Sequence, residues 1–207
     1  MTAAEPAADF RHPTEFRRWA AGEPQTPIAE LLAEHHVMAR VLDAMEAEAT
    51  AMNRGRPLRL EFWAGLIEFV QAFVQESHRV KEEQHLFPHM SEVGTLPEGR
   101  AGALEREHGQ ARQITERLCR LAEAGDWEGV VRLSALYLHV IRPHMRREEV
   151  EWTGPAPEGV TDADLERIRQ SFVEVERAAF GTADRAHWIG LVDRVCGMAQ
   201  VRGLADG

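Results

Sequence analysis

The chain has 207 residues, of which 44% are hydrophobic and 28% charged, and its formal net charge is −10 at pH 7. This composition is typical of a soluble globular protein, and the length favours one domain with added segments over two full domains. The acidic excess, without any cluster of Lys and Arg, argues against nucleic acids and anionic membranes as partners. No apolar run approaches the roughly 18 residues of a membrane span, and residues 1–18 do not have the pattern of a signal peptide. We therefore expect a cytoplasmic protein.

Helical periodicity dominates the chain, and no alternation of apolar and polar residues is long enough to predict a strand. A Pro-rich leader, residues 1–27, is expected to be partly disordered, with a short helix around residues 14–20. Long helices are predicted at residues 28–53, 58–86, 98–124 and 127–152, and shorter ones at residues 162–180 and 183–201. The second long helix is expected to stop before Pro88, because proline cannot continue the backbone hydrogen bonds.

Long helices with short connections form antiparallel neighbours. We therefore predict an all-α fold, an antiparallel four-helix bundle at residues 28–153 with a C-terminal helical extension at residues 154–207 that packs on it.

Each long helix carries a histidine within its apolar stripe, at about 100° per residue. These histidines are His35, His78, His108 and His144, and the stripe of the second helix also includes His85 near its end. In the second and fourth helices a glutamate follows four residues later, at Glu82 and Glu148, so that the imidazole and the carboxylate share one face. The second half of the chain thus repeats the pattern of the first.

A single histidine on an apolar face is commonly a core residue with a satisfied ring. Six ionisable groups facing one interior are different, because burying each costs several kcal/mol unless an opposite charge compensates it. A pair of metal ions provides that charge. Imidazole and carboxylate ligands without thiolate suit iron or manganese, although zinc and copper also accept imidazole.

These motifs resemble those of the hemerythrin-like, cation-binding HHE family. The matching stretches are LLAEHHVMARVLDAMEA at residues 31–47, SHRVKEEQHLFP at 77–88, LEREHGQAR at 104–112 and PHMRREEVEW at 143–152. The resemblance implies a non-haem di-iron centre with an oxygen-atom bridge, in which the ligands are His35, His78, Glu82, His108, His144 and Glu148. The expected cofactors are two oxo- or hydroxo-bridged iron ions, in preference to manganese or zinc.

The chain departs from the long-known hemerythrins, which have five histidine ligands and a His-x-x-x-His pair, because Arg112 follows His108 at that spacing. His85 is a candidate replacement, since Glu82-x-x-His85 has the spacing that places a carboxylate and an imidazole on one iron in other di-iron bundles. The alternative is a histidine one turn beyond the site. Glu151 is a further ligand, a partner for a ligand N–H, or a solvated charge.

Three neighbours of the predicted ligands are expected to lie off the inner stripe. His36 has the charged helical neighbours Arg40 and Asp43, which favour a surface position. Glu83 and Glu149 point about 100° away from the stripe, so they do not form a catalytic acid pair.

Counting ligands against about six positions per iron leaves roughly one position vacant, where dioxygen or peroxide could bind. We therefore favour a protein that binds or senses dioxygen, peroxide or iron. The alternatives are a di-iron oxidase or a peroxide-decomposing, catalase-like enzyme, and a structural bundle stabilised by zinc. No phosphate loop, dinucleotide fingerprint or Gly-x-Ser-x-Gly motif indicates another chemistry.

Overall fold

The structure, a computed structural model, describes residues 13–23, 25–94, 96, 99–152 and 160–201. Within these ranges every regular element is a helix, which confirms the predicted all-α fold. The helices are α1 (Pro13–Ala20), α2 (Pro27–Asn53), α3 (residues 60–92), α4 (Arg100–Glu123), α5 (Trp127–Trp152), α6 (Asp162–Phe180) and α7 (Arg185–Ala199). Residues 1–12 of the leader that is predicted to be partly disordered lie outside the described residues.

Side-chain caps explain where several of these helices begin. The Thr26 hydroxyl accepts a hydrogen bond from the Ala29 backbone N–H at 3.2 Å, directly before Pro27. At α6, Thr161 and Asp164 form a reciprocal capping box. Such caps satisfy backbone donors that the first turn of a helix leaves without partners.

The bundle consists of α2, α3, α4 and α5, and its core has two apolar clusters with a polar layer between them. The larger cluster includes Met45, Phe69 and Phe73, and the smaller one includes Leu31 and Phe87. On each of the four helices the stripe histidine lies between residues of these two clusters. The polar layer is therefore enclosed by apolar packing at both ends.

Helix α3 differs from the predicted second helix, because it continues past Pro88 to Glu92 and contains two π-helical segments, Phe69–His78 and Glu82–Leu86. The predicted stop before Pro88 is wrong. Pro88 follows shortly after the π-helical segment Glu82–Leu86, and the helix continues there although proline contributes no backbone N–H. A π turn contains roughly one residue more than the 3.6 of an α turn.

The helices that follow the bundle pack against it. Helix α6 contacts α2 and the π-helical part of α3, and α7 contacts α1, α2 and α3. An aromatic group joins them, with Trp188 of α7 against Phe69, Phe73 and Phe180. None of the helices in the described ranges is both long enough and apolar enough to cross a membrane.

Candidate metal centre

Six side chains meet in the polar layer of the bundle, and we call them the donor group. They are His35, His78, Glu82, His108, His144 and Glu148, each at most 3% exposed. Their potential ligand atoms form two sets within which all atoms lie within 4.8 Å of one another, and Glu148 belongs to both sets. The apolar stripes of the sequence led to the same six positions.

The two carboxylates lie between the histidine rings. Glu82 Oε1 is 3.1 Å from His78 Nε2, and Glu82 Oε2 is 3.3 Å from His108 Nε2. Glu148 Oε1 is 2.9 Å from His144 Nε2, and Glu148 Oε2 is 3.5 Å from His35 Nε2. Each carboxylate therefore presents one oxygen to the His35 and His78 half of the centre and one to the His108 and His144 half.

Several atoms of the donor group have no hydrogen-bond partner among the described residues. They are both carboxylate oxygens of Glu82, both of Glu148, and His35 Nε2. Leaving buried polar atoms unpaired costs about 1–3 kcal/mol each, and more for charged groups. Metal cations would satisfy all of these atoms, so the residues present fit a metal site.

Every histidine of the donor group also faces a second carboxylate through its other ring nitrogen. The Nδ1 contacts are His35 to Glu149 at 3.2 Å, His78 to Glu34 at 2.8 Å, His108 to Glu83 at 2.9 Å and His144 to Glu107 at 2.8 Å. A carboxylate there selects the tautomer with the proton on Nδ1 and leaves Nε2 free to bind a metal. We call these four residues the outer carboxylates.

Sequence reasoning missed the role of the outer carboxylates, although a signal was present. Glu83 and Glu149 lie off the inner stripe, as expected, and from there they reach the histidines of neighbouring helices. The paired motifs Glu-His, at residues 34–35 and 107–108, and Glu-Glu, at residues 82–83 and 148–149, carry that signal. Each motif supplies one donor-group residue and one outer carboxylate.

Charges within the centre oppose the effect of burial on its ionisable groups. Burial lowers the pKa of His78, but the carboxylates of Glu82 and Glu34 outweigh it and raise this pKa to about 10. In the same way, Glu148 and Glu83 raise the pKa of His108 to about 9 against the effect of burial. Burial raises the pKa of Glu148, but His144, His108 and His35 outweigh it and hold this pKa well below its usual range. Glu148 thus stays ionised and can bind a cation.

The structure does not bring His85 into the donor group. Its ring makes an edge contact with Phe172 of α6, with ring centroids 6.5 Å apart. The π-helical segment Glu82–Leu86 explains this position, because a wider turn rotates residues three apart away from the shared face of an α-helix. Glu151 is also elsewhere, 2.8 Å from Arg100 Nε in an ion pair.

The predicted surface position of His36 is wrong. His36 is buried, and its ring stacks on Phe16 of α1 with centroids 5.0 Å apart. The helical neighbours of His36 could not reveal this, because α1 arrives from outside the bundle and covers that face of α2.

A small cavity adjoins the donor group on the side of the larger apolar cluster. Five apolar side chains form part of its wall, among them Met38, Val74 and Ile141. Gln75 and Arg79 add polar groups to the wall, and the Arg79 guanidinium donates to the Gln75 side-chain oxygen. The space is just large enough for about one water-sized molecule.

Buried imidazoles and carboxylates facing one another from four helices define a metal-binding helical bundle. The model of the Hemerythrin HHE cation binding domain matches residues 26–153, more than half of the chain, and the chain belongs to this family. This match confirms the resemblance seen in the sequence.

Two of the relatives that the chain matches are uncharacterized proteins of Mycobacterium bovis and Mycobacterium tuberculosis. Each is 22% identical over 189 residues, which cover 88% of this chain and 72% of the relative. No solved structure matches the chain.

Proposed function

We propose that the chain binds two iron ions in the donor group, joined by an oxygen bridge, and that it binds or senses dioxygen or peroxide there. An iron pair of this kind supplies a redox-active centre for small oxygen species. The protein residues hold it: Glu82 and Glu148 each offer one oxygen to each half of the centre. The outer carboxylates orient the imidazoles toward it.

The size of the adjoining cavity is the observation that carries this function. Five members of the donor group border the cavity, so a molecule inside it would touch the centre directly. Its volume is about that of one water molecule, which is closer to the size of dioxygen or peroxide than to that of an organic compound. This favours binding or sensing of a small oxygen species over oxidation of an organic compound.

Decomposition of peroxide is the second candidate, and the polar wall of the cavity favours it. Arg79 and Gln75 place N–H donors and a positive charge beside the space. Such groups stabilise negative charge that develops on a small oxygen species. A purely structural zinc site would need neither the cavity nor its polar wall.

The test is an optical titration of the full chain, loaded anaerobically with ferrous iron and then exposed to air or to hydrogen peroxide. We expect a near-ultraviolet band of oxygen-bridged ferric iron to appear. For a binding protein the band disappears again on removal of dioxygen, whereas continuous release of dioxygen from added peroxide would indicate the enzyme. A chain that takes up zinc, with no such band after iron loading, would contradict the proposal.

A further inference from the structure

The four outer carboxylates differ in their access to water. The side chains of Glu149, Glu83 and Glu107 are 18%, 23% and 27% exposed, whereas that of Glu34 is 1% exposed. Water therefore screens three of these charges but not the charge of Glu34. What neutralises Glu34 must come from the protein itself.

A buried lysine supplies that charge. Lys81 Nζ donates to Glu34, and also to Glu30 Oε1 and Glu176 Oε1, both at 2.7 Å. Burial lowers the pKa of Lys81, but the three carboxylates outweigh it and raise this pKa, so the lysine stays charged. The cation that faces Glu34 is thus shared with two other carboxylates.

The shared cation links the centre to helices outside the family match. Glu176 lies on α6, and its Oε1 is 3.0 Å from Arg185 Nη2 at the start of α7. The contacts from His78 through Glu34, Lys81 and Glu176 to Arg185 form what we call the ion chain. Helices α6 and α7 therefore reach a donor-group histidine through charged groups alone.

We propose that the C-terminal helices set the reduction potential of the metal centre through the ion chain, with Glu176 as the positioning residue. This inference rests on the proposed iron centre. The ligands of the iron centre stay the same, and the inference adds a role for helices that lie beyond residues 26–153.

The direction of the effect follows from the charges. Glu176 shares the Lys81 charge with Glu34, so Glu34 accepts the His78 Nδ1–H more strongly and makes the imidazole a better electron donor. Without the Glu176 charge, Lys81 would bind Glu34 more tightly and the surroundings of the centre would lose a negative charge. Both changes favour the reduced, less positive state of the iron. Removing the Arg185 charge should act in the opposite direction.

The test is a redox titration of the full-length chain loaded with ferrous iron, followed by its optical spectrum. We expect Glu176→Gln to raise the potential and to change the ratio of oxidised to reduced centre about tenfold at a fixed potential, which corresponds to about 59 mV for one electron. Glu174→Gln is the matched control, because it removes the same charge from an exposed position on the same helix. That variant should keep the parent potential.

Arg185→Gln separates an electrostatic role from a structural one. It should lower the potential, whereas general loosening of α6 and α7 would move both variants in the same direction. Equal potentials for the parent, Glu176→Gln and Glu174→Gln would overturn the inference while leaving the iron centre intact. A parent chain without a reversible redox response would overturn the proposed centre and this inference with it.

Discussion

At the residue scale, the histidines of the donor group differ from ordinary core histidines because both ring nitrogens face carboxylates. An ordinary buried histidine needs one partner to satisfy its N–H. Here a second carboxylate faces each Nε2, where no proton is needed if a metal binds. The arrangement is costly without a cation, and this is the strongest residue-level argument for one.

The adjacent residues His35 and His36 allow a direct comparison of the two environments. We expect His35→Ala to lose most of the bound metal, because a donor that faces Glu148 disappears. His36→Ala should keep the metal, since its ring stacks on Phe16 rather than facing the donor group. Metal content per chain, measured by elemental analysis after identical loading, checks both results. Equal loss from the two variants would show that His36 belongs to the centre.

The sequence was sufficient to predict that six side chains meet, but it was not sufficient to predict which residues surround them. Periodicity at 3.6 residues identifies an inner face, and the six predicted positions do meet in the structure. That they bind metal stays a prediction. The role of the outer carboxylates was not predicted, because their partners are on other helices. The surface position predicted for His36 was wrong, because α1 covers it. Both depend on tertiary packing that no single helix encodes.

At the scale of elements, α3 shows where helical periodicity fails. Its first π-helical segment ends at the donor residue His78, and its second begins at the donor residue Glu82. An added residue per turn shifts every later position, so the prediction for His85 from Glu-x-x-His spacing could not hold in this helix. π-helical turns are frequent at functional sites, and these two include the donor residues of α3.

The packing of α7 on α3 depends on a glycine. A Cβ atom on Gly65 would lie 3.1 Å from Leu191 Cδ1 and 3.7 Å from Val195 Cγ2, both on α7. We expect Gly65→Val to lower the free energy of unfolding by about 1–3 kcal/mol through overpacking. Denaturant titration of the parent and the variant measures this change in the free energy of unfolding.

The control for this substitution is Gly197→Val on α7, where the added Cβ would meet nothing within 4 Å. It should leave the free energy of unfolding within about 0.5 kcal/mol of the parent value. Equal destabilisation by the two variants would mean that the contact between α3 and α7 is not its cause.

At the scale of the whole molecule, the position of the donor group couples metal binding to folding. The group lies between the two apolar clusters, so unfolding would disperse the ligands. A ligand that binds only the folded state adds stability equal to RT ln(1 + [L]/Kd), about 4 kcal/mol at a thousandfold excess over Kd. The bundle and its metal should therefore unfold together.

We accordingly expect a chelator to lower the melting temperature of the metal-loaded chain clearly, with most of the helix content retained below the transition. Without cations, the buried carboxylates and imidazoles remain only partly compensated. Circular dichroism during heating, with and without chelator, checks this. An unchanged melting temperature after proven loss of metal would place the centre outside the cooperative core.

The most direct test of the central claim is the number of iron ions that the chain binds. Ferrous iron is added anaerobically to the metal-free protein, and bound iron is measured per chain after removal of the excess. Two donor sets that share Glu148 predict saturation at about two ions in the parent chain, and at one or fewer in Glu148→Gln. Saturation of the parent at a single ion, or the same stoichiometry in both proteins, would contradict a shared two-iron centre.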